Sequence, residues 1–370
     1  MLRIFPVLIV YLILNIMVGI RIQKSLLIEK TNCKIIFWII FLIIAFSFVI
    51  AEIFPKILPF SATKIIYNIG CIYLGLFVYM ILLFTISFFL TLIFKNGKLD
   101  YYSISIVLSI ILVICGFYFE NTTKIKNYDV QMETKLENTS SMKVALISDI
   151  HIGYTFGQSH LNKIITEIND LNPDIIVIAG DLIDSDLDIA LHETDLSVLS
   201  NLKSKYGTFF ALGNHDCYTQ QIERLSNILR ENNITVLNDD YSLINDDLYI
   251  IGRVDPSIST ISSNSYVSER NSLNSIISDI DKSKPTLVID HSPNNMQDSI
   301  ENGIDIQVSG HTHNGQLFPF NFVVNKISPI GYGYKKINDT NVIVSSGYGT
   351  WGPPIRTTGH SEIALINIYN

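Results

Sequence analysis

Aspartate, asparagine and histidine residues recur in short motifs through the C-terminal two thirds of this 370-residue sequence. Five of its eight histidines fall within these motifs. The motifs are Asp149-Ile150-His151, Gly180-Asp181-Leu182-Ile183-Asp184, Gly213-Asn214-His215-Asp216, His291 and Gly310-His311-Thr312-His313. Each follows a short apolar run typical of a buried strand, and open α/β sheets bind their ligands at the carboxyl ends of the strands. We therefore expect the five motifs to meet at one sheet edge.

These side chains form a mixed set of oxygen and nitrogen donors. The carboxylates suit Mn²⁺, Fe or Mg²⁺, and the imidazoles suit Zn²⁺. Without metal, three carboxylates at one edge would repel one another and raise their own pKa values. The set is too large for one ion, so we predict two divalent cations able to hold a phosphoryl group between them. Mn²⁺ is our first expectation, with Fe, Zn²⁺ and Mg²⁺ as alternatives.

A single Asp or His at a strand end is more often a turn or capping residue than a metal ligand. Agreement among five strand ends argues against that explanation for the set as a whole. His160, His192 and His360 lie outside the motifs, and we assign them no function. The glycines that precede three of the motifs either mark turns or allow the backbone to approach an ion closely.

The elements that must position the motifs alternate between strand and helix. The predicted strands are 143–148, 174–179, 208–212, 249–252, 286–290, 305–309, 341–345 and 362–367, and the predicted helices are 158–171, 195–205, 220–231 and 272–281. Alternation followed by strand-rich sequence indicates an α/β core with helices outside.

The first 119 residues differ in composition from the rest, with a net charge of +6 against −14 for residues 120–370. They contain four apolar runs, at 4–20, 35–51, 65–94 and 103–119. A spanning helix needs about 20 mostly apolar residues, and we interpret the long third run as one tilted helix. We predict a transmembrane region at 1–119, a juxtamembrane linker at 120–142 with one strand near 128–132, and a soluble domain at 143–370.

The composition also bears on broad function classes. Within the four apolar runs there is no Asp, Glu, Lys, Arg or His, and Glu52 sits at the edge of one run. Transporters place ionisable groups at membrane depth, so an anchor is favoured over a conducting bundle. The acidic soluble domain argues against a nucleic-acid partner. Cys217 is its only cysteine, which excludes a disulfide framework within that domain.

The ordered motifs resemble those of the calcineurin-like metallophosphoesterases. The resemblance covers residues 143–370, and the segment from Ser346 to Arg356 is similar to a bacterial membrane-associated branch with N-terminal transmembrane helices. It implies a four-layer β-sandwich flanked by helices. It also implies one ion held by Asp149, His151, Asp181 and His313, and a second held by Asp181, Asn214, His291 and His311.

By the same resemblance, His215 is a catalytic residue that supports the leaving group and the transition state rather than a ligand. Asp184 lies three residues beyond the bridging Asp181, and we expect its carboxylate to hydrogen-bond the His215 imidazole and orient it. The alternative for Asp184 is a capping residue of the turn after the strand.

We therefore expect a membrane-anchored phosphoesterase that hydrolyses a phosphoester or pyrophosphate by attack of a metal-bridging hydroxide. The anchor makes a lipid-linked substrate plausible. Related protein phosphatases carry an arginine where Ser185 stands, which disfavours a phosphoprotein phosphatase but leaves it as an alternative. A rival from another class is a membrane sensor or transport component whose metal domain binds without turnover.

Four spans place both termini on one side of the membrane. The loop 21–34 carries four Lys or Arg residues, and Lys95 and Lys98 share its face. The opposite face carries Arg3, Lys56, Lys64, Lys124 and Lys126. Because a short, dense, early loop usually dominates orientation, we expect loop 21–34 in the cytoplasm and the soluble domain outside. The oligomeric state is left open.

Overall fold

The computed structural model describes residues 4–55, 57–94, 99–260 and 269–370. Arg3, Lys56, Lys95 and Lys98, which entered the charge comparison, lie outside this part of the chain. The chain divides into two compact units. One comprises residues 1–118 and 352–355, and the other comprises residues 119–351 and 356–370.

The first unit is built from four long apolar helices, as the four apolar runs predict. They are α1 (Ile4–Ser25), α2 (Thr31–Ile53), α3 (Phe60–Ile93) and α4 (Tyr101–Glu120). All four are long and apolar enough to cross a membrane. The third run forms one 34-residue helix, as expected.

Small and polar residues fit the helices of this unit together. A Cβ on Gly70 of α3 would lie 2.2 Å from the backbone nitrogen of Phe48 in α2, so only glycine permits this approach. Asn15 of α1 donates to the Tyr11 carbonyl at 2.8 Å and accepts from the Tyr73 hydroxyl. The amide thus has partners within the helices, as a polar group in an apolar setting requires.

The second unit contains two six-stranded sheets. Its strands are β1 (Thr123–Gln131), β2 (Ser141–Ile147), β3 (Ile175–Ala179), β4 (Thr208–Ala211), β5 (Ile234–Val236), β6 (Asp240–Ile244), β7 (Leu248–Gly252), β8 (Thr286–Ile289), β9 (Ile306–Ser309), β10 (Gly333–Ile337), β11 (Thr340–Val344) and β12 (Ser361–Tyr369). The first sheet has the order β1-β12-β2-β3-β4-β5 and the second the order β10-β11-β9-β8-β7-β6.

Helices flank the two sheets. They are α5 (Gln158–Asp170), α6 (Leu187–Glu193), α7 (Asn214–Tyr218), α8 (Ile222–Glu231), α9 (Leu273–Ile276), α10 (Met296–Glu301) and α11 (Phe320–Ile327). Two predicted helices are shorter than expected. The 195–205 segment forms a 3₁₀ turn at Leu196–Asn201, and 272–281 divides into α9 and a 3₁₀ turn at Ile277–Asp279. The side chains of Asp195 and Ser272 cap the N-termini of these two segments. The helices that follow have only six and four residues.

Alternating side chains of the strands build the layers. In β2, Val144 and Leu146 face the core shared by the two sheets, whereas Ala145 and Ile147 pack against the outer helices. This two-residue period places successive side chains on opposite faces, and both faces are buried. A third cluster joins β7 and β8 to α9 on the outer face of the second sheet. The four-layer architecture expected from the family resemblance is confirmed.

The segment 120–142 is more than a linker. Residues 123–131 form β1, which pairs in parallel with β12 over its whole length, from Thr123 opposite Ser361 to Gln131 opposite Tyr369. The strand begins five residues before the stretch expected at 128–132. Val130 and Met132 are buried in the core between the sheets, because alternate residues of the strand point inward.

Candidate metal centre

The five Asp, Asn and His motifs lie at the carboxyl ends of parallel strands. Strands β2, β3 and β4 of the first sheet run in parallel, and so do β8 and β9 of the second. Asp149 follows β2, Asp181 follows β3 and Asn214 follows β4, while His291 follows β8 and His311 follows β9. The motifs of both sheets come together, so the predicted convergence is present in the described chain.

One side-chain cluster contains Asp149, His151 and His313, whose ligand atoms all lie within 4.8 Å of one another. The Nε2 atoms of His151 and His313 are 3.2 Å apart, and the His313 Nε2 is 3.4 Å from the Asp149 carboxylate. The Asp181 carboxylate is 3.9 Å from the His151 Nε2. Burial lowers the pKa of His313 to about 3, with the neighbouring His151 adding to the effect, so its ring is a neutral donor.

A second cluster is built around His291. Its Nε2 lies 3.1 Å from an Asp181 oxygen and 3.2 Å from the Asn214 side-chain oxygen. The Nδ1 of His311 lies 2.9 Å from the same Asn214 oxygen. Asp181 is therefore the residue that the two clusters share.

The donor set of this second cluster fits a cation. The His291 Nδ1 lies 2.8 Å from the Ala179 carbonyl, which can only accept, so this nitrogen carries the proton. In the neutral ring, Nε2 then presents a lone pair to a carboxylate and an amide oxygen. Burial opposes a second proton, yet the negative charge of Asp181 raises the pKa of His291 well above its usual value. A proton or a divalent cation satisfies these converging lone pairs, and the donors match those of known metal sites.

The backbone at the strand ends is held in an unusual conformation. Five candidate ligands have a backbone φ between 48° and 70°. They are Asp149, His151, Asp181, His311 and His313. Non-glycine residues seldom adopt this left-handed region, and such strain concentrates at functional sites. This conformation is an independent indication that the cluster has a function.

Two motif glycines are required by close approach. A Cβ on Gly213 would lie 2.2 Å from an oxygen of Asp181, and one on Gly310 would lie 2.3 Å from an oxygen of Asp149. Real Cβ atoms do not approach so closely. Both glycines are therefore required because their backbone lies against a carboxylate of the site.

The expected side-chain contact between Asp184 and His215 is replaced by a backbone contact. The His215 Nδ1 donates to the carbonyl oxygen of Asp184, and the Asp184 carboxylate is 3.9 Å from that nitrogen. The same carboxylate lies closer to His151, at 3.3 Å from its Nδ1. The reason is local, because the Asp184 amide donates to the Ile152 carbonyl and so places Asp184 beside the His151 turn.

His215 lies next to the clusters and partly faces solvent. Its Nδ1 or Nε2 falls within 4.8 Å of ligand atoms of His151 and Asp181. The His215 ring stands perpendicular to the His151 ring, with centroids 4.8 Å apart. Exposed aromatic residues flank it, Tyr218 at 5.8 Å and Trp351 at 6.2 Å between ring centroids.

Comparison with known proteins agrees with these features. A family model described as calcineurin-like phosphoesterase matches residues 142–315, a range that includes all seven candidate ligands. An uncharacterized metallophosphoesterase from Campylobacter jejuni is 32% identical over 71% of this chain and 68% of its own length. An uncharacterized metallophosphoesterase from Helicobacter pylori is 30% identical over 74% of this chain and 72% of its own length. The chain belongs to the calcineurin-like metallophosphoesterase family.

A transmembrane protein with a metallophosphoesterase domain from Danio rerio is also similar, at 27% identity over 73% of this chain and 63% of its own length. The matched region thus spans about two thirds of each of these three relatives. Together with the four long apolar helices, this similarity identifies a multi-pass membrane protein with a metallophosphoesterase domain.

Asp216 is a residue of this metallophosphoesterase site whose role sequence reasoning missed. It is fully buried, and its carboxylate accepts from the amides of Asp181 at 2.8 Å, Gly213 at 2.9 Å and Ile183 at 3.0 Å. Burial, followed by the charge of Asp181, raises the pKa of Asp216 to about 7. The signal was its place at the end of the Gly-Asn-His-Asp motif. Asp216 ties the loops after β3 and β4 together.

The sequence gives no role to Arg356, the last residue of the segment that is similar to the membrane-associated branch. It is 1% exposed, and it donates to the carbonyls of Ser346 at 2.7 Å, Gly347 at 3.2 Å and Gly349. The Gly349 amide in turn donates to the Asp149 carbonyl at 2.8 Å. The buried guanidinium therefore holds the loop that packs against Asp149.

We predict that Asp216→Asn loosens the two loops that carry Asp181 and Asn214. The asparagine side chain has one accepting oxygen, whereas both carboxylate oxygens of Asp216 accept from backbone amides. At least one buried N–H group therefore loses its partner, which should destabilise the loops by about 2 kcal/mol. Hydrogen–deuterium exchange of the full chain in detergent should rise by about 30-fold at the amides of Asp181 and Gly213. Asp279→Asn, on an exposed turn, is the matched control and should change neither segment. Unchanged exchange in both loops of Asp216→Asn would contradict the assigned role.

Proposed function

We propose that this protein is a membrane-anchored, metal-dependent phosphoester hydrolase. The observation that carries the proposal is the pair of Asp and His clusters that share Asp181 at one sheet edge. Family membership supports the same reaction class. The spacing of the donors suits two ions rather than one.

We assign the two ions as the family resemblance implies. One would be held by Asp149, His151, Asp181 and His313, and the other by Asp181, Asn214, His291 and His311. When bound, two divalent cations supply Lewis acidity to phosphoryl oxygens and acidify a water molecule. The carboxylate and imidazole set favours Mn²⁺, with Fe, Zn²⁺ and Mg²⁺ as alternatives.

His215 is the proposed catalytic residue for the departing group. Its Nδ1 proton is committed to the Asp184 carbonyl, which leaves Nε2 as the nitrogen that can donate to a leaving oxygen. A protonated imidazole there stabilises the charge that develops as the phosphorus–oxygen bond breaks, and delivers the proton. The ring is fixed on one side by a backbone group and is part-exposed on the other, as this role requires.

Asp184 takes a different role from the one expected from sequence. With its carboxylate 3.3 Å from the His151 Nδ1, it is a positioning residue for His151. Accepting that proton fixes the tautomer in which His151 Nε2 is a free donor to metal.

The substrate class we propose is a phosphoester or pyrophosphate carried by a lipid. Four bilayer-length helices hold the second unit, residues 119–351 and 356–370, which we call the catalytic unit, at the membrane, where lipid-borne phosphates are concentrated. Ser185 stands where related protein phosphatases have a phosphate-binding arginine, so a phosphoprotein substrate is the weaker alternative.

We predict that Asp181→Asn removes more metal than Asp149→Asn. Asp181 faces both clusters, whereas the Asp149 carboxylate faces one. Elemental analysis of the purified full chain should give about two ions in the unmodified protein, about one in Asp149→Asn and fewer in Asp181→Asn. His160→Gln, a histidine outside the clusters, should keep both ions. Equal metal content in the two aspartate variants would rule out a shared ligand.

We further predict that the metal-loaded full chain hydrolyses aryl phosphates and that His215→Asn keeps both ions but turns over poorly. The loss should reach about 10²–10⁴-fold for esters with poor leaving groups and be smaller for a nitrophenyl ester, whose oxygen needs no proton. Asp184→Asn should lower metal content instead, without a leaving-group trend.

The leaving-group series also tests the function itself. A uniform loss across leaving groups, or loss of metal in His215→Asn, would make His215 a ligand or a structural residue. No turnover of aryl phosphates, lipid pyrophosphates or phosphopeptides by the loaded chain would overturn the hydrolase proposal. That result would favour the sensor or transport component.

We propose that the catalytic unit lies outside the cytoplasm, because the dense basic loop 21–34 favours the cytoplasmic face. Protease added to intact spheroplasts should then digest the catalytic unit. Spheroplasts lysed before digestion provide the control for accessibility. A unit that survives in intact spheroplasts and is cut only after lysis would place it in the cytoplasm.

A further inference from the structure

Exposed apolar side chains are concentrated on α11 and on the turn before it. Five apolar side chains within ten residues are between 40% and 72% exposed. They are Phe318, Phe320, Phe322, Val323 and Ile327. Helix α11 has no buried residue. Water-soluble surfaces seldom carry so many apolar groups together, and such a patch marks a binding surface.

Trp351 extends this patch. Its side chain is 56% exposed, and its backbone is held by Gln316 through two bonds of 3.1 Å, one in each direction. The Phe318 amide donates to the Thr357 hydroxyl at 2.8 Å, which ties the same two segments together again. We call Phe318, Phe320, Phe322, Val323, Ile327 and Trp351 the apolar surface.

The apolar surface borders the candidate metal centre. Phe318 follows the candidate ligand His313 by five residues, and the Trp351 ring lies 6.2 Å from the His215 ring. Both segments follow strands of the second sheet, β9 and β11, at the edge where the motifs converge. The surface is therefore part of the catalytic unit at its functional edge.

The chain enters the catalytic unit at the same edge. Thr123, the first residue of β1, lies opposite Ser361, and Ala364 lies opposite Leu146 near the carboxyl end of β2. The Ser361 hydroxyl donates to the carbonyl of Glu120, the last residue of α4. Only two residues separate α4 from β1, so the Cα atoms of Glu120 and Thr123 are at most about 10 Å apart.

We infer that the apolar surface binds the interfacial layer of the lipid bilayer. Residues 121 and 122 alone join α4, a helix of bilayer length, to the strand that begins at this edge, so lipid is the apolar phase that the chain itself keeps within reach. Aromatic side chains favour the headgroup level of a bilayer, and an amphipathic helix lies in that plane. Lys326 is the exposed cation on α11 and suits lipid phosphates. The inference does not depend on hydrolase activity.

The two tryptophans of the chain permit a direct test. Trp38→Phe leaves Trp351 as the single indole in the full chain. Reconstituted in phosphatidylcholine vesicles, this variant should lose at least half of its emission when lipids brominated on the acyl chain replace ordinary ones. The matched control adds Trp351→Phe and Tyr369→Trp, which moves the indole to the far end of β12, where Tyr369 is 38% exposed. Its emission should be unaffected by brominated lipid.

A second pair of variants separates lipid binding from proximity to the spanning helices. Phe322→Asp with Val323→Asp, in the Trp38→Phe chain, should reduce the quenching of Trp351 by at least half. Leu243→Asp, an exposed apolar position on β6, should leave the quenching unchanged. Emission of Trp351 that brominated lipid does not quench would overturn the inference. A blue-shifted but unquenched emission that depends on protein concentration would assign the surface to a second copy of the chain instead.

Discussion

The carboxylate of Asp181 is the group on which the rest of the site depends. One of its oxygens faces His291 at 3.1 Å and His151 at 3.9 Å, and the other accepts the His215 amide at 2.8 Å. It follows β3, an inner strand of the first sheet, whereas His291 follows β8 of the second. Both sheets must therefore pack with their carboxyl edges aligned, and the buried strand faces between them enforce that alignment.

That packing also maintains the strained turns at the strand ends. A non-glycine residue in the left-handed region costs about 1–2 kcal/mol, and five of the candidate ligands adopt it. A fully buried aliphatic side chain contributes about 1.5–3 kcal/mol, and the core between the sheets contains many, such as Leu146, Ile250 and Ile289. Packing between the sheets thus holds the strand ends in this conformation. Asp216 adds specific restraint by binding amides of the loops that carry Asp181 and Asn214. Arg356 acts indirectly, by holding the loop after β11 that packs against Asp149.

Residue type and strand pattern predicted an α/β core with outer helices and the convergence of the donors, because both follow from local periodicity and from the rule that ligands gather at strand ends. The four-layer arrangement was expected from the family resemblance instead. They did not predict the partner of Asp184, which depends on how the Asp184 backbone pairs with Ile152 across two loops. Asp216 is likewise part of the Gly-Asn-His-Asp motif, but the sequence does not show its role. Its contacts with three backbone amides form only when the loops after β3 and β4 are folded. The strand expected near 128–132 begins earlier, at Thr123, and its first half was not predicted because exposed polar residues dominate it.

That strand determines which edge of the sheets is tied to the membrane anchor. Because β1 pairs in parallel with β12, the chain leaves α4 beside Ser361, at the edge that carries the donors. An antiparallel β1 in the same position would begin beside Tyr369, about 27 Å away along the strand. The direction of a single strand thus decides whether the site edge or the opposite edge adjoins the end of the last apolar helix.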